Sequence, residues 1–273
     1  MEIVALAALV HALPEGFNEV SWLGQALAEG WSQYVGPGEA ATGRVRAWSV
    51  GGVQDNETLV QARPVVRDPR ADFIADLLRA PTQTTLAAHA VLPVGPGESD
   101  SPPALAMTRF QRWIGVRAEG QPLAEEVRAG LRATLPEFLI RSGGQTGDRE
   151  LVVLSFLAAL HAAGELGKAY ATPAAIRRAL HGLDERLGRP ERLNLMVSDG
   201  RCVGVLHRGG RIVSLQPPPP VRPARAISRP HQRPSASLLL FDPQPAVDAD
   251  PAAALAGGVF TVHVRQPGVY ERD

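Results

Sequence analysis

The apolar positions fall in strand-like blocks at both ends of the chain and with helical spacing in the middle. The first block, Glu2-Ile3-Val4-Ala5-Leu6-Ala7-Ala8-Leu9, is nearly continuous. That pattern predicts a strand buried on both faces, although its small residues also suit a helix. Ser21 to Glu29 predicts a short helix with Ser21 as N-cap and Gly30 just past its end. Two strands follow, Arg44 to Val50 and Thr58 to Pro64, around a turn holding Gly51-Gly52 and Asp55-Asn56. In Asp72 to Leu78 the residues Phe73, Ile74, Leu77 and Leu78 share one helix face, and Thr84 to Leu92 returns to strand character. Gly95 to Pro103 has the composition of a loop.

The middle of the chain is more periodic. Trp113 to Val116 predicts a strand and Leu123 to Leu135 a helix. Asp148 to Ala163 is the clearest helix, with Asp148 and Glu150 placing negative charge in its first turn. Pro173 to Leu187 predicts another, opened by a proline in the first turn. Leu193 to Ser198 and Arg201 to His207 flank Asp199-Gly200, a strong two-residue hairpin signal. Ser237 to Phe241 and Val259 to Val264 are late strands. Helices bracketed by strands, without an internal repeat, predict one α+β domain over 1–273, interrupted by a Pro/Arg-rich loop at 216–235.

Composition narrows the classes. The 28 basic residues balance 28 acidic ones, so no global field draws the chain to nucleic acid or an anionic membrane. The run from Ile3 to Val10 is too short to span a bilayer and has no basic leader or small-residue cleavage site, so a cytoplasmic protein is expected. One cysteine, Cys202, excludes an intramolecular disulfide and a cysteine metal cluster. Its place after a hairpin turn predicts a buried structural thiol. Lys168 is the one lysine beside abundant arginine, a coding bias without chemical content.

Generic catalytic motifs are absent. There is neither a Gly-x-x-x-x-Gly-Lys phosphate loop nor His-Glu-x-x-His, and the seven histidines lack metal-ligand spacing, so no metal and no cofactor is expected. His161 and His181 are expected at helix surfaces. Two local features carry two readings each. Gly143-Gly144 is a helix-entry turn that could present amides to an anion. The 222–234 stretch, with Arg222, Arg225, Arg229 and Arg233, is a solvated proline-rich loop or a docking element for an acidic partner or a phosphate backbone.

An ordered series of partial motifs adds a family resemblance. Asn194-Leu195-Met196-Val197-Ser198-Asp199-Gly200 is similar to the Asn-Leu-x-x-Ser-Asp-Gly hairpin of class II glutamine amidotransferases. Gly144-Gln145-Thr146-Gly147-Asp148-Arg149-Glu150 resembles that family's Gly-x-Thr-Asp-Ser-Glu helix start with one residue added. Ala88-His89-Ala90-Val91 lies where the family has Ala-His-x-Arg. Trp113 to Gly120 lies where it has an apolar strand running into His-Asn-Gly, and Gly30-Trp31 resembles its Asp-Gly-Trp-Gly. The resemblance covers residues 1 to about 210 and implies an N-terminal-nucleophile hydrolase fold, a four-layer αββα sandwich.

It also implies a pocket that has lost its chemistry. The family's nucleophile is an N-terminal cysteine with its own amine as base, at about pKa 7.7–8.0 when unperturbed. Here that position is Glu2, and so bulky a second residue is expected to leave Met1 in place. The arginine that forks the substrate carboxylate is replaced by Val91, and the histidine and oxyanion asparagine of His-Asn-Gly by Ala118 and Glu119, before Gly120. The glutamate of the family's late Ser-Glu-Pro segment is absent from Leu240-Phe241-Asp242-Pro243. Asp148, which in the family holds the substrate's α-amino group, remains, and it is equally a first-turn helix acid. The expected vestigial pocket is therefore Glu2, His89, Val91, Ala118, Glu119, Gly120 and Asp148, suited by charge to a small amine-bearing ligand. An inactive binding or regulatory subunit of a partner, such as a synthetase or other enzyme, is the leading expectation. A hydrolase using Asp148 or Glu119 with His89, and a scaffold docking through 216–235, are the alternatives.

Overall fold

The computed structural model describes residues 2–11, 43–54, 57–64, 84–93, 107–118, 122–142, 147–190, 193–209, 211–215, 236–242, 254–255, 257–263 and 270–272. The strands are β1 (Glu2–His11), β2 (Gly43–Gln54), β3 (Glu57–Pro64), β4 (Thr84–Pro93), β5 (Thr108–Phe110), β6 (Trp113–Ala118), β7 (Leu193–Ser198), β8 (Cys202–Arg208), β9 (Arg211–Leu215), β10 (Ala236–Asp242), β11 (Ala254–Leu255), β12 (Gly258–His263) and β13 (Tyr270–Glu271). The helices are α1 (Glu125–Ala133), α2 (Glu137–Ser142), α3 (Asp148–Ala162) and α4 (Pro173–Arg186). The helices expected over 21–29 and 72–78, and the loops 95–103 and 216–235, lie outside the described residues.

Two sheets form, in which every described pairing is antiparallel. The larger runs β11-β9-β10-β1-β4-β2-β3 and the smaller β13-β12-β8-β7-β6-β5. The run at Glu2–His11 is thus a strand, lying between β4 and β10. The two sheets stack, β1, β2 and β4 against β6 and β4 against β7. Helices α3 and α4 cover the other face of the smaller sheet.

Glycines let the helices approach that sheet. Gly115 on β6 would, given a Cβ, meet Val153 of α3, and Gly204 on β8 would meet Ile176 and Leu180 of α4. Strand alternation then assigns Trp113, Leu195, Val197, Cys202, Leu206 and Val259 to the helix-facing core, which they share with Phe156, Leu157 and Leu183. Trp113 and Phe156 meet edge to face at 5.5 Å. The opposite parity (Ile114, Val116, Met196, Val203, Val205, Phe260, Val262) is buried toward the larger sheet.

Several expectations shift. Gly51-Gly52 lie inside β2, paired with Val60 and Leu59, because the strand continues to Gln54, the partner of Glu57. The helix expected to reach Leu135 stops at Ala133, and α2 begins after Pro136, whose ring suits a helix start and not a helix interior. Helix α3 is buried nearly all round because α1 and α4 pack on it as well as the sheet. Thr172 caps α4 by accepting from Ala175 N–H at 3.2 Å, with Pro173 next to it.

Candidate functional site

The register brings several of the expected pocket positions to one end of the stacked sheets. In the larger sheet Glu2 pairs with Val91, and His89 pairs with Ala5 on one side and Trp48 on the other. In the smaller sheet Ala118 ends β6 opposite Asn194. The opposite end of the stack is marked by Gly200 (φ +90°), where an added Cβ would stand 2.8 Å from Val53 Cβ. Gly200 joins β7 to β8, and Val53 lies one residue beyond Gly52, the partner of Thr85, at the far end of β4 from Val91. The Glu2/Val91 end and the Ala118/Asn194 end of the two sheets are therefore the same end, with the N-terminus of α3 beside it.

Asp148, the first residue of α3, is described in full. Its Oδ1 accepts from Arg128 Nε at 2.8 Å, and its Oδ2 accepts from Leu123 N–H at 2.8 Å and Arg128 Nη2 at 3.3 Å. Its carbonyl accepts from Arg117 Nη1 at 3.3 Å. Arg128 also reaches Glu125 and the Leu123 carbonyl. The Arg128 hydrogen bond is the largest influence holding the Asp148 carboxyl below its ordinary value; Leu123 N–H and the charges of Arg128 and Arg117 add to it, against desolvation. Arg117 is buried on β6, and that burial pulls its guanidinium below its ordinary value, opposed by the charge of Asp148.

Asp148 thus ties the segment before α1 to the start of α3. Leu123 and Arg128 were not legible as its partners. Their sequence separations of 25 and 20 residues carry no periodic signal. A second pairing also escapes the sequence. His207 Nδ1 and Asn194 Oδ1 lie 2.5 Å apart, both residues buried at the sheet positions that face the larger sheet.

The Ser-Asp-Gly turn is structural. Asp199 is wholly buried and accepts from Arg201 N–H, Cys202 N–H and Ala171 N–H, while Ser198 Oγ accepts from Gly200 N–H. Cys202 is buried as expected, and burial pushes its thiol far above its ordinary value. His161 and His181 are exposed, His161 packing edge-on to Phe138 at 4.9 Å. Glu119, Gly120, Gly143-Gly144, Arg222, Arg225, Arg229 and Arg233 lie outside the described residues. Among the described residues no group of three or more His, Cys, Asp or Glu could hold a metal, and no helix is long and apolar enough to cross a membrane.

No protein-family model matches the sequence. No curated protein sequence matches it. Solved structures do. The chain is similar to a glutamine aminotransferase class-II domain protein from Silicibacter pomeroyi, at 11% identity and TM-score 0.51 over 96% of each chain. It also matches a predicted glutamine amidotransferase from Pseudomonas aeruginosa at 11% identity and TM-score 0.47, over 99% of this chain and 96% of that one. At such identity the first likeness is one of fold: mixed helix and antiparallel sheet arranged as in a class II glutamine amidotransferase domain.

Proposed function

We propose that this chain is a class II glutamine amidotransferase-like protein that keeps the N-terminal-nucleophile hydrolase fold, a four-layer αββα sandwich, without glutaminase chemistry. It acts in the cytoplasm as a binding or regulatory subunit. The observation that carries this reading is the engagement of Asp148: both carboxylate oxygens are bound by Arg128 and one of them also by Leu123 N–H. A substrate amine has to displace a guanidinium already seated there. The rest of the chemistry is missing in the same direction. The one cysteine of the sequence is buried in β8, its thiol pushed away from the thiolate form. Val91, in register with Glu2, offers no fork to a carboxylate.

The remaining acids, Glu2 and Glu119, favour a small amine-bearing ligand over glutamine. The partner is a protein, such as a synthetase or other enzyme, and Arg222, Arg225, Arg229 and Arg233 are its proposed contacts. Ammonia release from glutamine, with intact mass read on the same sample, tests the central point. No ammonia above the protein-free blank is expected, and turnover proportional to protein concentration overturns the reading. For the loop, removal of 216–235 is expected to abolish partner capture with the circular dichroism spectrum unchanged; capture by the shortened chain refutes that assignment.

A further inference from the structure

Among the described residues, buried polar side-chain atoms without a hydrogen-bond partner gather on the β5–β6 hairpin. They include Thr108 Oγ1, Trp113 Nε1 and two nitrogens of Arg112. Arg112 lies in the turn of that hairpin and is only 8% exposed. Its unpartnered atoms are Nε and Nη2, the two that form the side-on edge of a guanidinium. Their N–H bonds point the same way, at the spacing of the two oxygens of one carboxylate. A buried charged fork without acceptors is strongly unfavourable, so this edge marks a place where an acceptor belongs.

Among the described residues, no acid fills it. Asp199 is near enough to act on Arg112 by its charge, yet its Oδ1 already accepts from Arg201 and Cys202 N–H and its Oδ2 from Ala171 N–H. Glu165 Oε1 accepts from Lys168, and its Oε2, buried without a partner, makes no hydrogen bond to Arg112. A second guanidinium joins the cluster: exposed Arg201 stacks on the Tyr170 ring, 3.3 Å from its centroid, and Arg112 lies 5.7 Å from the same centroid. Among the described residues, two guanidiniums against the Asp199 carboxylate leave one positive charge, which a monoanion balances. Arg201 follows Gly200, so the cluster lies at the end of the stack away from Glu2, Val91 and Asp148.

The geometry points to a second ligand site here, in which the carboxylate of a small molecule lies along the Nε/Nη2 edge of Arg112 with Arg201 and Tyr170 beside it. The site is independent of the amidotransferase-like pocket and stands whether or not glutamine is turned over. It is tested by thermal denaturation of the full chain in rising sodium acetate, against sodium chloride at matched ionic strength and sodium phosphate as a second arm. A saturable rise in Tm with acetate alone is expected. Arg112→Lys keeps the charge but loses the fork, and its half-saturating acetate concentration is expected to rise about tenfold. Arg201→Gln, at an exposed position, is expected to weaken the response as well, which keeps the test open if Arg112→Lys does not fold. Equal responses to acetate and chloride mean that only water meets the fork and overturn the site. So does a response to acetate unchanged in Arg201→Gln or in a folded Arg112→Lys, or a stronger response to phosphate than to acetate.

Discussion

Replacing Gly204 by alanine tests the packing that holds α4 on the smaller sheet. A Cβ there stands 2.5 Å from Ile176 Cγ2, 3.1 Å from Leu180 Cδ1 and 3.1 Å from Val197 Cγ2. Ile176 and Leu180 are fully buried and Val197 nearly so, so none has free volume into which to turn. At a strand position with room, alanine in place of glycine gains about 0.5–1 kcal/mol from backbone entropy. Overpacking costs about 1–3 kcal/mol, so the net expectation is a loss of about 1–2 kcal/mol. For a chain of this size that is a fall in Tm of roughly 2–8 °C. Urea denaturation of Gly204→Ala, Ile176→Ala and the double variant gives the coupling. Ile176→Ala alone leaves a cavity worth about 2–5 kcal/mol, and the alanine methyl at 204 fills part of it. The double variant is therefore expected to be more stable than the sum of the single losses allows. Additive losses, or a Gly204→Ala protein as stable as the parent, refute the close approach of α4 to β8.

Other expectations follow from single contacts. Asp148→Asn is expected to be less stable at neutral pH. Because the folded carboxyl titrates below its unfolded value of about 3.9, its stabilisation is complete above that pH and is lost as the pH falls through the folded value. The gap between the variant and the parent in urea midpoint therefore closes on acidification, and a gap independent of pH refutes the ion-pair account. Thr172→Ala removes the α4 cap and is expected to cost about 1 kcal/mol, with no change in the denaturant slope. Cys202 is expected to resist iodoacetamide in the folded protein and react fully in urea, as intact mass would show; fast labelling of the native chain contradicts its burial.

The sequence was most legible where one strong periodicity decides the structure. The apolar run of α3, the Pro173 start of α4 and the Asp199-Gly200 hairpin all appear where the pattern places them. It was least legible where elements are too short to show a period. Strand β5 is three residues long, β11 and β13 two each, and they exist only through pairing with β6, β9 and β12. Gly51-Gly52 reads locally as a turn, yet cross-strand partners on β3 and β4 hold both in extended backbone. At the Glu2/Val91 end of the stack the sequence named positions and missed partnerships. The strand register that pairs Glu2 with Val91 is set by the antiparallel pairing of β1 with β4. The grip of Arg128 on Asp148 depends instead on how the segment around 122–128 lies against the start of α3.

That grip also bears on what this end of the stack needs in order to be stable. A carboxylate waiting for a substrate amine remains partly unpaired until the ligand arrives, and the free protein carries that cost. Here the chain supplies its own cation: Arg128 gives Asp148 two hydrogen bonds and returns a third to the Leu123 carbonyl. An incoming ammonium can replace those bonds but adds few, and it strands Arg128 beside Arg117, which is already buried and held by the Asp148 carbonyl. The exchange is close to neutral at best, so binding energy for any ligand at this end must come from groups other than Asp148. Arg128→Met separates the possibilities. If the arginine occupies a working amine subsite, the variant gains affinity for small amines in a thermal-shift titration. If Asp148 is solely a tether, the variant loses stability at neutral pH, the loss shrinks on acidification, and no amine restores it. The structural reading of Asp148 predicts the second result, and amine rescue of Arg128→Met would refute it.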